Sequence, residues 1–200
     1  MMRFGTAARS GLASLVGVAL GAANLVLVGV GPASAAVVEA DHYRDVGTVI
    51  EVDFCGRQTD FRHHFEYHGV FSAKTRGPGT PLYFSDNFHG FDAFTNLDTG
   101  KTFTVVNNGV FRDKKITVNA DGTLTIVQQF SGVQIVRDDA GKILFRDRGT
   151  VRFAFIVDHN GTLRNPDDDE FIRDIGETFR AGKFDTLNRG FCADVYMYTA

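Results

Sequence analysis

The chain has 200 residues, with 21 Lys and Arg against 24 Asp and Glu and a formal net charge of −3. A mildly acidic balance gives no electrostatic reason to expect nucleic acid or an anionic membrane surface as a partner. The chain has 19 Phe, no Trp and two Cys, and no nucleotide-binding or nucleophile-elbow motif follows a suitable strand.

The N-terminal segment has the three-part order of a secretory signal peptide. Arg3 and Arg9 are followed by an uncharged stretch over residues 12–30, and the small residues 33–35 then supply a cleavage site. The length of the apolar stretch also allows a retained membrane anchor. We predict that residues 1–35 are a signal peptide, that residues 36–200 form one mature domain, and that the protein is secreted without a membrane partner after cleavage.

Cys55 and Cys192 both fall in the mature part. Because exported proteins meet an oxidising environment, an even number of cysteines predicts a disulfide between them. The alternatives are a metal pair or a catalytic thiol, although the two residues lack the close spacing typical of metal sites.

The mature chain is predicted to consist of about nine strands joined by turns. Residues 61–72 illustrate the pattern, because Phe61, His63, Phe65 and Tyr67 alternate with polar residues, as in a half-buried strand. Residues 165–180 fit either a helix or a strand, and we favour a strand. The predicted strands are residues 46–54, 61–72, 91–97, 101–107, 116–119, 123–130, 133–137, 143–157 and 191–199.

This order of strands predicts an all-β domain built as an antiparallel meander. A meander protects its edges by closing into a barrel or by stacking as a sandwich. A Cys55–Cys192 disulfide would tie the first strand to the last, so we predict a small β-barrel of calycin-like or allene-oxide-cyclase-like shape, with a β-sandwich as the alternative.

The Phe-rich inner faces predict either a filled core or an apolar pocket. If a pocket is present, a small apolar ligand would contact residues from two predicted strands. These candidate ligand-binding residues are Phe61, His63, Phe65, Tyr67, Phe153 and Phe155.

His63 lies among apolar residues of its strand and is the one candidate catalytic residue. A neutral imidazole there could form a structural hydrogen bond or act as an acid or base, with Asp147 as a partner. His64, Glu66 and His68 share the opposite face, but residues four apart in a strand are about 13 Å from each other. That run is therefore no metal site by itself, and nothing in the sequence places His89 beside it.

The acidic residues between 158 and 170 do not follow the ligand order of an EF-hand, so we predict no metal and no cofactor.

Several short motifs are spread over the mature chain. They are an early FCG at residues 54–56, NADGTLTI at 119–126, VDHNGT at 157–162, DDDEF at 167–171 and a late FC at 191–192. In these motifs the chain resembles a group of uncharacterised secreted bacterial proteins. The resemblance implies a common fold and export, but it implies no activity.

The sequence therefore predicts a secreted binding module for a small apolar ligand held in a barrel pocket. One alternative is a pocket enzyme of the isomerase or cyclase type that uses His63. Another is a structural or surface-interaction protein. The sequence does not decide the oligomeric state.

Overall fold

The computed structural model describes residues 36–200, and the predicted signal peptide lies outside the described residues. Seven long strands are followed by one short helix. Within the described part of the chain, no helix is long and apolar enough to cross a membrane. The elements are β1 (Ala36–Glu51), β2 (Phe61–Thr75), β3 (Leu82–Asn96), β4 (Thr102–Val118), β5 (Thr123–Arg137), β6 (Ile143–Asp158), β7 (Glu170–Phe184) and α1 (Phe191–Thr199), with short 3₁₀ turns at Phe54–Gly56 and Pro166–Asp168.

The strands form one sheet in which each strand pairs antiparallel with the next along the chain. The predicted all-β antiparallel meander is therefore confirmed. The sheet is open, because within residues 36–200 β1 and β7 each pair with a single neighbour, and closure into a barrel is not confirmed. The closure argument assumed that the cysteines lie in the first and last strands, but Cys55 lies in the turn after β1 and Cys192 lies in α1.

The predicted final strand at residues 191–199 is wrong, because this segment is α1. Phe191 and Val195 are four residues apart, which places them on one face of a helix, and both pack in the core against the sheet. The same residues also alternate with period 2, so the pattern alone did not exclude a strand.

Seven strands replace the predicted nine because several predicted segments are parts of longer strands. The segments at 123–130 and 133–137 join as β5, which runs through Gly132 without a shift in register. The segment at 165–180 is a strand from Glu170 onward, as favoured. The pairing of β6 with β7 is less regular and shifts at three places.

Side chains opposite each other in neighbouring strands lie on the same face of the sheet. We call the face that α1 covers the helix face and the opposite face the outer face. The predicted alternation in β2 is confirmed, since Phe61, His63, Phe65 and Tyr67 all lie on the helix face. In β1 the alternation of Val46, Thr48 and Ile50 with other residues predicts that these three share a buried face, and this prediction is wrong. Val46 and Ile50 pair with outer-face residues of β2, and both are exposed.

The core lies between α1 and one end of the helix face. Phe61, Phe103 and Val195 are almost completely buried there, at 0%, 2% and 0% exposure. Fully burying an aromatic or aliphatic side chain of this kind stabilises a fold by about 1.5–3 kcal/mol. The cluster consists of Phe61, Phe94, Phe103, Val105, Val136 and Val195, with Phe54, Leu144, Phe145, Phe191, Tyr196 and Tyr198 packed around it.

The predicted disulfide is confirmed, with the Cα atoms of Cys55 and Cys192 6.0 Å apart. It joins the turn after β1 to the first turn of α1. The Tyr196 hydroxyl also donates a hydrogen bond of 2.6 Å to the Phe54 carbonyl, and the Phe54 ring contacts the rings of Phe61 and Phe191. Together these contacts hold α1 against the sheet.

Replacing both cysteines with serine is expected to lower the free energy of unfolding by about 2–5 kcal/mol, because the disulfide closes a long loop of the unfolded chain. Urea denaturation of the purified domain measures this change. A reductant should destabilise the wild-type protein and leave the double serine variant unchanged. Equal stability of oxidised wild type and variant would contradict the proposed role of the disulfide.

Candidate functional site

The strands are much longer than the helix that covers them. Strands of 15–17 residues extend about 50 Å, whereas the nine residues of α1 extend about 14 Å. Most of the helix face therefore lies beyond the reach of α1.

This uncovered part of the helix face is lined with phenylalanine. The rings of Phe88 and Phe111 stack with centroids 5.5 Å apart, Phe130 lies 5.0 Å from Phe111, and Phe153 contacts Phe111 edge-on. On the same face Phe71 and Phe84 stack with centroids 5.5 Å apart, and the Phe65 ring contacts His63. These rings are half-buried, and among the described residues none of them belongs to the core cluster under α1. We call them together the aromatic surface, which consists of Phe65, Phe71, Phe84, Phe88, Phe111, Phe130 and Phe153.

The candidate ligand-binding residues lie on the helix face, but they do not form one group. Phe61 is completely buried in the core. His63, Phe65 and Tyr67 follow it along β2, and of these Phe65 belongs to the aromatic surface. Phe153 and Phe155 lie in β6. Four strand spacings separate β2 from β6, which is about 19 Å along the sheet.

A chain of polar side chains crosses the helix face between the core and the aromatic surface. His63 Nε2 lies 3.0 Å from Asp92 Oδ1, and the Tyr67 hydroxyl donates a short hydrogen bond to the same carboxylate. Asn107 donates to the Tyr67 oxygen at 2.8 Å, and Gln134 donates to Asn107 at 3.0 Å. We call these five side chains the polar network.

Sequence reasoning did not identify Asp92, Asn107 or Gln134, because each lies in a different strand and only the register brings them together. The suggested partner of His63, Asp147, lies instead beside Thr186, whose backbone N–H donates to it at 3.0 Å.

His63 is engaged on both sides of its ring. Its Nε2 faces Asp92, its Nδ1 lies 3.6 Å from a Glu51 carboxylate oxygen, and the ring stacks on Phe94 with centroids 4.4 Å apart. A role as acid or base would require one nitrogen to leave its carboxylate. The geometry therefore favours a positioning role in which His63 and Tyr67 hold Asp92 in place.

Two tyrosines on the helix face donate to buried carboxylates. Burial and the Asp92 charge raise the pKa of Tyr67, and burial and the Asp86 charge raise the pKa of Tyr43. The Tyr43 hydroxyl lies 3.0 Å from Asp86, whose own pKa is raised by burial. Both phenols therefore remain protonated donors at neutral pH.

Each strand places one glycine on the helix face. At several of these glycines an aromatic ring from the same or a neighbouring strand occupies the space that a side chain would need. At Gly90 a Cβ atom would overlap the Tyr67 ring and the Glu66 carbonyl, and at Gly109 it would overlap the Phe130 ring. Glycine in a strand interior often marks such a close approach, so these positions fix the rings of the polar network and the aromatic surface. The glycines are Gly47, Gly69, Gly90, Gly109, Gly132, Gly149 and Gly182.

The outer face carries four of the other histidines, namely His42, His64, His68 and His89, whereas His159 lies in the turn after β6. The register places His89 directly opposite His68, with ring centroids 4.0 Å apart, in a shallow groove of about 220 Å³ that Glu66 also lines. Glu66 is paired with Arg44 at 2.8 Å. Within residues 36–200, no three His, Cys, Asp or Glu side chains cluster closely enough to hold a metal ion.

A cavity lies under α1, lined by core residues that include Phe103 and Phe191, and it measures about 40 Å³. Small-molecule sites are commonly about 300 Å³ or larger, so this space is too small for a ligand. A ligand of the helix face would have to bind on the aromatic surface instead.

Comparison of the chain with protein-family models, with curated proteins and with solved structures gives no significant match.

Asp113 lies at the far end of the helix face from α1 and is 7% exposed. The Phe84 backbone N–H donates to it at 2.8 Å, but burial dominates and raises the pKa of its carboxyl to about 6. The folded state therefore binds a proton more tightly than the unfolded chain. Folding stability from this group is present below about pH 4 and is lost as the pH rises through 6.

The Asp113→Asn variant is expected to be more stable than the wild type at pH 7 by up to about 3 kcal/mol, because the amide carries no charge to bury. Its side-chain oxygen can still accept the Phe84 N–H. Urea denaturation of both proteins at pH 4 and pH 7 measures the effect. A stability difference that does not change between the two pH values would contradict the assignment.

Proposed function

We propose that the protein binds a small, largely apolar molecule on the aromatic surface. The observation that carries this proposal is a half-buried surface of seven phenyl rings beside the hydrogen-bonding groups of the polar network. Clustered aromatic side chains that the fold leaves partly exposed are typical of an interaction site. A ligand with an apolar body and one polar group could contact the aromatic surface with its body and the polar network with its polar group.

The expected affinity is weak, because the site is a surface and not an enclosed cavity. A ligand that buries about 300 Å² of apolar surface gains roughly 7 kcal/mol, and association itself costs about 4 kcal/mol or more. The difference of about 3 kcal/mol corresponds to a dissociation constant in the millimolar range.

The neutral fluorophore N-phenyl-1-naphthylamine tests this proposal. The chain has no Trp, so the intrinsic background is low. We expect saturable fluorescence enhancement with the wild-type protein and at least fivefold weaker binding to Phe111→Ala.

The matched control is Phe91→Ala, because Phe91 is equally half-buried but lies on the outer face. It should bind the fluorophore as the wild type does. Binding that is absent in the wild type, or weakened equally by both substitutions, would overturn the proposal.

We also propose that the protein is exported and that residues 1–35 are removed as a signal peptide. The Cys55–Cys192 disulfide supports this, since it is consistent with an oxidising extracellular environment. The intact mass of the protein recovered from culture medium should correspond to a chain that begins at Ala36 or Val37 and has lost two hydrogens. Retention of the full-length chain in cells would refute it.

Two further functions can be tested. An isomerase-type or cyclase-type enzyme would need His63 to release one of its two carboxylate partners, Asp92 or Glu51, and an identified activity that survives His63→Gln would eliminate that role. Exposed apolar residues such as Val46 in β1 and Ile175 in β7 favour a surface-interaction protein, and a monomer at high concentration in light scattering would count against self-association. Closure of β1 onto β7 into a barrel would cover part of the same edges and stays a prediction.

A further inference from the structure

The two faces of the sheet differ in the sign of their charges. In β1–β6 no Lys or Arg is paired with a helix-face residue, whereas eight carboxylates occupy that face. These carboxylates are Glu39, Asp41, Asp45, Glu51, Asp86, Asp92, Asp113 and Asp147.

The outer face of the same strands has the opposite character. Nine basic residues lie there, and the register places only Glu66 and Asp158 among them as acids. The basic residues are Arg44, Arg62, Lys74, Arg112, Lys115, Arg137, Arg146, Arg148 and Arg152. The formal charge of the whole chain, −3, conceals this separation.

The acids are interleaved with the rings of the aromatic surface and of the tyrosines. Asp86 lies between Phe71 and Phe111 in the register, and Asp92 lies between Phe65 and Val105. Carboxylates set among apolar groups project a stronger field than carboxylates in open water. Aromatic rings also attract cations through their negative faces.

A basic residue of β7 does not neutralise this field. Arg180 is paired with Val151 at the edge of the helix face, and its guanidinium forms an ion pair with Glu177. His63, the remaining basic group on the face, lies between Asp92 and Glu51. The strands of the aromatic surface therefore offer no unpaired Lys or Arg to an anionic head group, and Arg76, in the loop after β2, lies near the Asp113 carboxylate at the far end of the face.

From this complementarity we infer that the ligand of the aromatic surface is an organic cation with an apolar body, such as an alkylammonium compound. The inference rests on the proposed binding function and adds the charge of the ligand to it. The rings would contact the apolar body, and one carboxylate would face the positive group, either Asp86 or Asp92, which lie about 20 Å apart along β3. The same field disfavours fatty acids and other apolar anions.

Three probes with alkyl chains of nearly equal length separate charge from apolarity. Octyltrimethylammonium, 1-octanol and octanoate are titrated into the wild-type protein at pH 7 and low ionic strength, and binding is read by displacement of N-phenyl-1-naphthylamine. We expect the cation to bind at least tenfold more tightly than the alcohol and octanoate to bind most weakly. Added salt should weaken the binding of the cation alone.

Variants assign this preference to the helix face. The first variant combines Asp86→Asn with Asp92→Asn, which removes both charges and keeps oxygens that can accept hydrogen bonds from Tyr43 and Tyr67. It should reduce the preference for the cation over the alcohol to less than threefold. Glu66→Gln, which removes a carboxylate from the outer face of the same sheet, should leave the preference unchanged. Thermal denaturation confirms that each variant is folded.

The outcomes distinguish the two proposals. If the fluorophore binds but the alcohol or octanoate displaces it as well as the cation does, the inference about charge is overturned and the binding function stands. Failure of all three probes to displace bound fluorophore also overturns it. If the fluorophore itself does not bind, the binding function fails, and the inference fails with it.

Discussion

The attachment of α1 to one end of the sheet is the contact on which the rest of the architecture depends. The Cys55–Cys192 disulfide, the Phe54 ring and the hydrogen bond from Tyr196 fix the helix over β2, β3 and β4. This attachment creates the one well-buried aromatic core in the described part of the chain. Because the helix is far shorter than the strands, the same attachment leaves the aromatic surface uncovered.

The elements that the sequence predicted well are those in which local pattern and burial agree. In β2 the alternation from Phe61 to Tyr67 follows the buried face, and in β6 Val151, Phe153 and Phe155 do the same. In β1 the branched residues Val46 and Ile50 are exposed, because this strand lies at the edge of the sheet. The barrel prediction was not confirmed because two cysteines far apart in sequence limit a distance without identifying the elements that meet.

The candidate site was less predictable than the fold because it depends on register. His63 was recognised as unusual from its neighbours in sequence, but Asp92, Asn107 and Gln134 reach it only through three successive strand pairings. The role of the helix-face glycines could not be predicted either. It depends on the aromatic ring that a neighbouring strand places against each glycine, and the sequence of one strand does not show that ring. The separation of charges between the two faces can be recognised only after the register shows which residues of every strand lie on which face.

Buried acids on the helix face oppose the stability of the fold, as the raised pKa of Asp113 illustrates. Natural proteins often depart from the best choice for stability at functional sites. A sheet selected for stability alone would carry neutral side chains between these rings. The carboxylates therefore connect the energetics of the fold with its proposed ligand.

The irregular pairing of β7 has a consequence for assembly. Three shifts in register, with Gly176 and Gly182 at positive φ, disrupt the row of backbone groups that an incoming strand would need. By contrast, β1 is regular from Glu39 to Glu51, and within residues 36–200 no strand pairs with its outer edge. Irregular edges resist the addition of strands and regular edges permit it. The two edges of the sheet therefore differ: β7 resists the addition of a further strand, whereas β1 permits it.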